Sequence, residues 1–292
     1  MSGQLKEVRN RIKSVQNTQQ ITKAMKMVSA AKLRRATERI VQMRPYANKL
    51  NELMSNIASD PGVVIEMAKE RTIKNVLMVV VTSDRGLAGG FNSTTIKLAL
   101  HTIHEKYEAL AKSGHVTVLP VGKKANDAFR KLPYKINSEY ALLFATLDFA
   151  HASAVAEWMM QAFKNNEYDR IEIVYSQFKN AGTQIFQVER FLPVLKASSG
   201  KGASSINFIF EPEQEELVNE LIPKILKTQF FKVLLDSNAS EHGARMTAMD
   251  KATENAKELL KDLSIKYNRA RQAAITTELT EIVSGAAALT GN

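Results

Sequence analysis

The sequence has no cysteine among its 292 residues, and this absence removes several kinds of chemistry. Disulfide bonds, thiolate metal sites and cysteine nucleophiles are excluded, and a reducing compartment is allowed. The motifs H-E-x-x-H, G-x-S-x-G, H-R-D and C-x-x-C are also missing. The sequence therefore offers no convincing enzyme active site.

Long uninterrupted apolar runs are absent as well. The longest apolar stretch, residues 141–163, carries Asp148, His151 and Glu157. It therefore predicts a helix of a water-soluble domain rather than a membrane span. The N-terminus is basic but lacks the apolar core of a signal sequence. We expect a chain that lies in the cytosol or peripherally on a membrane.

The composition is that of a globular protein with an uneven distribution of charge. Hydrophobic residues make up 45% of the chain and charged residues 24%, and the net charge is +10. Residues 1–57 contain twelve Lys and Arg against three Asp and Glu, a net of +9. This basic segment predicts contact either with nucleic acid or with an acidic protein partner.

The N-terminal segment has the a/d spacing of a heptad repeat. Apolar residues recur at alternating intervals of three and four in one register, at Leu5, Val8, Ile12, Val15, Leu33, Ala36, Ile40, Met43, Ala47, Leu50, Met54 and Ile57. The spacing predicts a coiled-coil helix over residues 1–60. We expect a kink near Arg44, because Pro45 removes a hydrogen bond and crowds the preceding turn.

The heptad register continues through a polar break. Between Val15 and Leu33 it places Gln19, Thr22, Lys26 and Ser29 on the seam. The apolar residues Ile21, Met25 and Val28 lie to one side of that seam. We therefore expect the seam to drift in this segment, and something other than a simple two-helix partner to face it.

The C-terminal segment, residues 212–292, mirrors the N-terminal one. Pro212 and the glutamates that follow it are typical of a helix start. A three-four spacing then runs through Met246, Met249, Thr253, Ala256, Leu260, Leu263, Tyr267, Ala270, Ala274 and Thr277. The two terminal helices are expected to pair as a long antiparallel coiled coil. The last turns, with Ile282, Val283 and Leu289, would project beyond the partner helix and need cover from another protein.

Residues 70–211 alternate between strand and helix patterns. Residues 75–82, 115–121 and 170–178 predict strands, and residues 93–111, 123–131 and 148–164 predict helices. This order predicts a doubly wound α/β domain. Residues 183–195 and 205–210 are expected to add a strand pair. The fold class is therefore α/β, with a Rossmann-like central domain plus the antiparallel coiled coil of the N- and C-terminal helices.

A glycine-rich loop follows the first predicted strand and raises the question of a nucleotide site. Gly86, Gly89 and Gly90 fit neither G-x-G-x-x-G nor the phosphate-binding loop motif, and no lysine follows them. The spacing favours a tight strand-to-helix turn over a phosphate site. Asp84 and Arg85 in this loop are candidates for catalysis, but capping of the turn is the more common role.

Two further segments contain residues of a possible binding site. His101 and His104 lie three apart on a predicted helix, and without a third ligand we favour solvated histidines over a metal site. The basic N-terminal helix has Tyr46 as its only aromatic residue, and its charges are interleaved with the seam. A coiled-coil nucleic-acid-binding protein is thus the less favoured reading of that helix, and a solvated or protein-facing helix the preferred one.

Several segments resemble one protein family. They are SVQNTQQITKAMKMVSAAKLRRA, RPYA, TSDRGLAGGFN, SEHGARMTAMDKATENA and YNRARQAAITTELTEIVSGAAAL. These segments are similar to the gamma subunit of F-type ATP synthase over nearly the whole chain. One departure is Ala88, where many relatives have the cysteine of GLCGG, and the regulatory insert of the chloroplast form is also missing.

The resemblance implies a rotor shaft that transmits torque and carries no active site or cofactor. Its implied partners are the alpha and beta subunits of the catalytic ring, the epsilon subunit and the c-ring. The central domain would be the foot and bind no nucleotide. Arg271 and Gln272 resemble the pair that binds a catch loop of beta, and Met25 resembles the residue against the acidic lever of beta. Membrane association would be indirect, on the cytoplasmic face of a bacterial plasma membrane.

Overall fold

The computed structural model describes residues 2–59, 66–194 and 214–290. It contains five helices, α1 (Ser2–Ser59), α2 (Phe91–Lys112), α3 (Lys123–Phe129), α4 (Phe149–Lys164) and α5 (Gln214–Thr290), with short 3-10 turns at Glu66–Ala68 and Leu143–Thr146. Its five strands are β1 (Val76–Val81), β2 (Val116–Val121), β3 (Lys135–Ile136), β4 (Arg170–Asn180) and β5 (Thr183–Leu192). These counts refer to the described ranges alone.

The chain divides into two compact units. The paired-helix unit comprises residues 1–29 and 246–292, and the sheet unit comprises residues 30–245. Helices α1 and α5 each contribute one part to each unit. The domain boundaries predicted at residues 60, 70 and 212 come from sequence patterns and not from this division, and they stay predictions.

The sheet unit is built on a five-stranded sheet with the order β3-β2-β1-β4-β5. Strands β1 to β4 run parallel to one another, and β5 runs antiparallel to β4. The doubly wound α/β layout predicted from the sequence is therefore confirmed. The two-residue strand β3 was not predicted. The expected strand over residues 205–210 lies outside the described residues.

Helices cover both faces of the sheet at β1, and this strand is accordingly apolar at every position. Leu77, Val79 and Val81 pack with α4 and with the sheet-unit part of α5. Val76, Met78 and Val80 point to the other face and pack with α2 and α3. A strand buried on both faces reads as a continuous aliphatic run, which is typical of a central strand in a parallel sheet.

The paired-helix unit is held by contacts between α1 and α5 that have a constant register. Thr253 donates a hydrogen bond of 2.8 Å to the hydroxyl of Thr22, and Lys26 forms an ion pair with Asp250. Arg9 donates to the hydroxyl of Tyr267 at 2.9 Å. Arg9 lies 17 residues before Lys26 (26 − 9 = 17), and Tyr267 lies 17 residues after Asp250 (267 − 250 = 17). The two helices are therefore antiparallel and keep one register.

The predicted seam agrees with the burial of the side chains. All ten seam positions of α5 from Met246 to Thr277 are buried or half-buried. On α1 the polar positions Gln19, Thr22, Lys26 and Ser29 are also buried or half-buried. The expected drift of the seam is wrong, because hydroxyl and ionic contacts with α5 replace apolar packing there. Ile21 and Val28 lie outside the seam and are exposed.

Neither proline inside the long helices ends its helix. Helix α1 continues through Pro45, and α5 continues through Pro223. The expected kink near Arg44 therefore produces no break in α1. In the part of the chain that the structure describes, no helix combines the length and apolarity that crossing a membrane requires.

Candidate partner-binding surfaces and the glycine loop

The glycine loop lies at the carboxyl end of β1, beside β4, where the strand order reverses and where doubly wound proteins commonly bind nucleotides. Here the loop turns two backbone carbonyls toward a cation of its own chain. The guanidinium of Arg245 donates to the carbonyl of Arg85 at 3.1 Å and to that of Gly86 at 3.3 Å. A phosphate site needs N–H groups pointing at the ligand. This polarity is opposite to that of a phosphate cradle.

Arg245 also forms a buried ion pair one helical turn away in α5. Its Nη1 donates to Glu241 Oε1 at 2.6 Å, and the two residues are 8% and 7% exposed. Burial raises the pKa of Glu241, and the charge of Arg245 opposes that rise. Burial, with the nearby charges of Arg245 and Lys32, lowers the pKa of His242 to about 4, so this imidazole is neutral at physiological pH.

The loop is further fixed by side chains at its two ends. The amide side chain of Asn92 accepts hydrogen bonds from both the backbone N–H and the hydroxyl of Ser83, each at 2.9 Å. The carboxylate of Asp84 accepts from the backbone N–H of Lys123 at 3.0 Å, at the first residue of α3. Asp84, one of the two catalytic candidates, thus binds the backbone at the start of α3, whereas the sequence pattern favoured capping of its own turn.

Backbone geometry in this region is unusual at two positions. Leu87 has a φ of 63°, a left-handed conformation that costs a non-glycine residue roughly 1–2 kcal/mol. Its side chain is nevertheless 63% exposed. At the neighbouring turn Gly122 has a φ of 107°, and a Cβ there would lie 2.2 Å from the carbonyl oxygen of Thr82. Glycine is therefore required at position 122, a requirement that only the tertiary contact with Thr82 reveals.

The two histidines considered for a metal lie on an exposed face of α2, each beside a glutamate. His101 Nε2 is 3.5 Å from Glu105, and His104 Nδ1 is 3.8 Å from Glu108. Among the described residues no group of three or more His, Cys, Asp or Glu could hold a metal ion. The pattern is that of helix pairs facing solvent.

The sheet unit also contains a buried carboxyl between α5 and β4. Asp236 is buried, and its Oδ1 has no hydrogen-bond partner among the described residues. Burial raises its pKa to about 6, although the charges of Lys232 and Arg44 and the backbone N–H of Phe178 act in the opposite direction. Part of the Asp236 population is thus protonated in mildly acidic conditions.

The residues that the family resemblance implies for partner binding all lie in the paired-helix unit. Arg271 and Gln272 are exposed, and Met25 is half-buried. Because Lys26 faces Asp250, Met25 lies roughly twenty residues from Arg271 along α5, which is about 30 Å at 1.5 Å per residue. The structure therefore places Met25 and the Arg271–Gln272 pair at two separate positions along the helix pair.

The end of α5 is an exposed apolar surface. Residues 278–287 are exposed without exception. Leu279, Ile282 and Val283 are 57%, 68% and 66% exposed. Together with Ile275 they recur at helical spacing, and a contiguous apolar stripe of this kind is typical of a surface that another protein covers.

A smaller concave site lies within the sheet unit. An open cavity of about 390 Å³ is lined by α1, by the start of α4 and by α5, with the residues Arg39, Gln42, Met43, Leu147, Asp148, Phe149, Phe231 and Leu235. The lining is mainly apolar and includes two side chains of opposite charge, Arg39 and Asp148. The surfaces of both units are thus typical of a protein that works through contacts with partners.

Comparison with known proteins places this architecture in a family. A family model described as ATP synthase matches residues 4–289. The ATP synthase gamma chain of Cytophaga hutchinsonii is 55% identical over 290 residues, which cover 98% of each chain. That of Christiangramia forsetii is 51% identical over 289 residues, covering 98% of this chain and 99% of the relative.

Solved structures with the same fold come from mitochondrial ATP synthases. A chain in the rotor of the Euglena gracilis enzyme covers 94% of this chain and all of its own length, with a TM-score of 0.67 and 22% identity. A chain in its OSCP/F1/c-ring assembly gives a TM-score of 0.69 at 22% identity, covering all of this chain and 96% of its own length. Given the family model and the close relatives, the chain belongs to the family of ATP synthase gamma chains.

Proposed function

We propose that this protein is the central shaft of an F-type ATP synthase, transmitting torque between an ion-driven c-ring and a catalytic ring of alpha and beta subunits. The observation that carries the proposal is the paired-helix unit. Its seam is closed from Met246 to Thr277, and α5 then continues with exposed apolar side chains. Two helices locked at a and d positions resist twisting, and an exposed apolar end fits a sleeve formed by partners.

The three sequence segments take different parts in this proposal. Residues 1–60 and 212–292 supply the coiled coil, and residues 70–211 form a foot that binds the epsilon subunit and the c-ring. Membrane association is then indirect, through the c-ring, on the cytoplasmic face of a bacterial plasma membrane. The names of the relatives, which are gamma chains of bacterial ATP synthases, support this assignment.

Catalysis belongs to the partner subunits in this proposal, and the shaft contributes differences in binding free energy among their states. The glycine loop supports this division, because its carbonyls hold Arg245 at the place where related folds hold a phosphate. Replacing this bound guanidinium by an anion would require the buried Glu241 to lose its partner.

Two contact sites with the beta subunits are proposed on the paired-helix unit. Arg271 and Gln272 bind a catch loop of beta by hydrogen bonds, for which their exposed side chains are available. Met25 lies against the acidic lever of beta. The exposed Lys23 of α1, two residues from Met25, favours an acidic partner there, whereas the charge of Lys26 is already paired with Asp250. The separation of about 30 Å along the helix pair means that the two sites bind different parts of beta.

The proposal is tested by recovering the tagged chain from membranes of its own cells. Partner masses are identified, and ATP hydrolysis is measured both in the recovered material and in the isolated chain. An untagged strain supplies the background. Recovery of larger nucleotide-binding partners with ATPase activity, and none in the chain alone, supports the shaft. Recovery of nucleic acid instead, or hydrolysis by the isolated chain, contradicts it.

A further inference from the structure

The cavity of the sheet unit has the size and the lining of a small-molecule site. Its volume of about 390 Å³ falls within the range of ligand pockets, roughly 300 to 1,000 Å³. Three elements build it, namely α1, the segment that leads into α4, and the sheet-unit part of α5. Most of the lining residues are apolar, and these are Met43, Leu147, Phe149, Phe231 and Leu235. A ligand with an apolar body therefore fits this cavity.

The protein itself leaves much of this apolar lining uncovered. Phe149 and Phe231 form an edge-to-face pair, with ring centroids 5.5 Å apart. Phe149 is 44% exposed, and Phe231, Met43 and Leu147 are half-buried. An aromatic ligand that packs on these side chains removes apolar area from water and adds ring contacts. The lining thus favours an aromatic body.

The two charged residues of the lining differ in how far their charges are already bound. Asp148 is the N-cap of α4, and its Oδ1 accepts the backbone N–H of His151 at 2.8 Å. The ring Nδ1 of His151 lies 2.8 Å from each carboxylate oxygen. These contacts lower the pKa of Asp148. Within the described parts of the chain, by contrast, the guanidinium of Arg39 has no hydrogen bond and no ion pair.

This difference decides the charge of the ligand. A cation would face Arg39 and compete with His151 for the carboxylate of Asp148. An anion pairs with Arg39 without displacing any bond of the protein. A carboxylate suits this group best, because guanidinium and carboxylate form two parallel hydrogen bonds. The exposed amide of Gln42, also in the lining, offers a further donor.

We propose that this cavity is a binding site for a small aromatic carboxylic acid, whose carboxylate pairs with Arg39 and whose ring packs on Phe149 and Phe231. The inference goes beyond the shaft function and does not depend on it. The lining belongs to the sheet unit, whereas Met25 and Arg271 belong to the paired-helix unit.

The site is tested with two probes that share one ring system. The probes are 2-naphthoate and its neutral analogue 2-naphthamide. The full chain carries carbon-13 in the methyl groups of its 11 methionines, and Met43→Leu assigns the resonance of Met43. The shift of that resonance during titration gives the Kd of each probe. For a ligand of this size we expect a Kd of about 1 mM or lower for 2-naphthoate, and at least about fivefold weaker binding of the amide.

Three variants separate the charge from the ring contact. Arg39→Gln should weaken 2-naphthoate to the affinity of the amide and leave the amide unchanged. Arg34→Gln is the matched control, because this exposed arginine of α1 lies outside the lining, and it should stay within about twofold of wild type. Phe149→Ala should weaken both probes. The unfolding midpoint of each variant is measured alongside, and it should stay near wild type because these side chains are partly or fully exposed.

The results that would overturn the inference are equally specific. One is a Met43 resonance that does not move with 2-naphthoate. Another is equal affinity of the wild-type chain for the acid and the amide, a comparison that needs no variant to fold. A third is unchanged binding of 2-naphthoate by Arg39→Gln.

The site is also tested in the assembled complex by photo-crosslinking. The probe is 4-benzoylbenzoate, an aromatic carboxylate whose excited carbonyl reacts readily with methionine. Irradiation of the complex recovered from membranes should label this chain at Met43, and excess 2-naphthoate should suppress that label. Labelling of Met43 in the isolated chain but not in the complex would mean that a neighbouring subunit fills the cavity, and it would overturn the ligand site.

Discussion

Replacing Arg245 with methionine tests how the glycine loop is fixed to α5. The substitution keeps an unbranched side chain of similar length but removes the cation that Glu241 and two loop carbonyls share. Removing one partner of a buried ion pair costs about 3 to 5 kcal/mol, because the remaining charge is left unpaired. We expect a loss of about 4 kcal/mol in the free energy of unfolding of the sheet unit at pH 8.

The dependence of this loss on pH follows from the pKa of Glu241. Burial already raises that pKa above its ordinary value of 4.5, and Arg245 opposes the rise. Without Arg245 the pKa rises further. A carboxyl with a higher pKa in the folded state adds stability as the pH falls through that pKa, and the gain is complete below 4.5. The deficit of Arg245→Met should therefore shrink on acidification from pH 8 toward pH 5.

The assay uses the single tryptophan of the chain. Trp158 lies in α4 and packs against Tyr140 and Tyr168, at ring centroid distances of 5.9 and 6.4 Å, so its fluorescence reports unfolding of the sheet unit. Urea titrations at several pH values give the free energy. A loss below about 1 kcal/mol at pH 8, or a deficit that grows on acidification, would refute the reasoning.

Two control variants isolate the buried pair. Arg34→Met breaks an ion pair of the same i,i+4 spacing that is exposed on α1, and it should cost no more than about 0.5 kcal/mol. The double variant Glu241→Leu with Arg245→Met removes both buried charges. It should recover part of the loss, because the interaction energy of contacting residues is commonly 0.5 to 3 kcal/mol. It should not recover all of it, because the carbonyl of Gly86 loses the donor that Arg245 supplies, whereas that of Arg85 keeps the hydroxyl of Ser83.

Three further predictions concern other parts of the chain. Replacing Arg271 and Gln272 together with alanine should lower coupled ATP turnover in membranes while changing stability by less than about 0.5 kcal/mol, since both side chains are exposed. Gly122→Ala should destabilise the sheet unit by more than about 2 kcal/mol in urea titrations, because the new methyl group collides with the Thr82 carbonyl. The free energy of unfolding of Asp236→Asn, relative to wild type, should be higher at pH 8 than at pH 4.5 by about 2 kcal/mol, because the buried wild-type carboxyl has a pKa of about 6, above its ordinary value of 3.8, and is ionised at the higher pH.

The outcomes that contradict these predictions are distinct. Unchanged coupled turnover would remove Arg271 and Gln272 from the proposed contact with beta. A stable Gly122→Ala variant would mean that the turn relaxes around the new methyl group, and Gly114→Ala is its control, because that glycine has positive φ but open space around it. A free energy difference for Asp236→Asn that does not vary with pH would show that Asp236 keeps one charge state throughout.

The elements that were predicted correctly from sequence are those with local, periodic signals. The strand Val76–Val81 is a continuous aliphatic run, and the seam of α5 repeats over ten positions, so both patterns identify their structure without tertiary information. Strand β3 was missed because two residues carry no period. The predicted seam drift was wrong because it followed the position of the apolar residues alone, whereas the polar residues Thr22 and Lys26 bond across the seam.

The candidate sites were less accessible to sequence reasoning, for a physical reason. The loop spacing correctly argued against the known phosphate motifs, but the partner of the loop is Arg245, which lies 160 positions from Arg85. One signal was present, since Glu241 and Arg245 form an i,i+4 pair in a helix that is otherwise buried in this region. The roles of Arg271, Gln272 and Met25 depend on partner subunits and stay predictions.

The polar contacts of the paired-helix unit have a mechanical consequence. An apolar heptad seam admits nearly equivalent pairings seven residues apart, so a load along the axis could let one helix slip past the other. A slip of seven residues in one direction would place Lys26 opposite Lys257 and Thr22 opposite Leu260, setting like charges together and burying a hydroxyl against a leucine. Thr22 and Lys26 therefore fix the register of the helix pair, so that the pair carries an axial load without one helix slipping past the other.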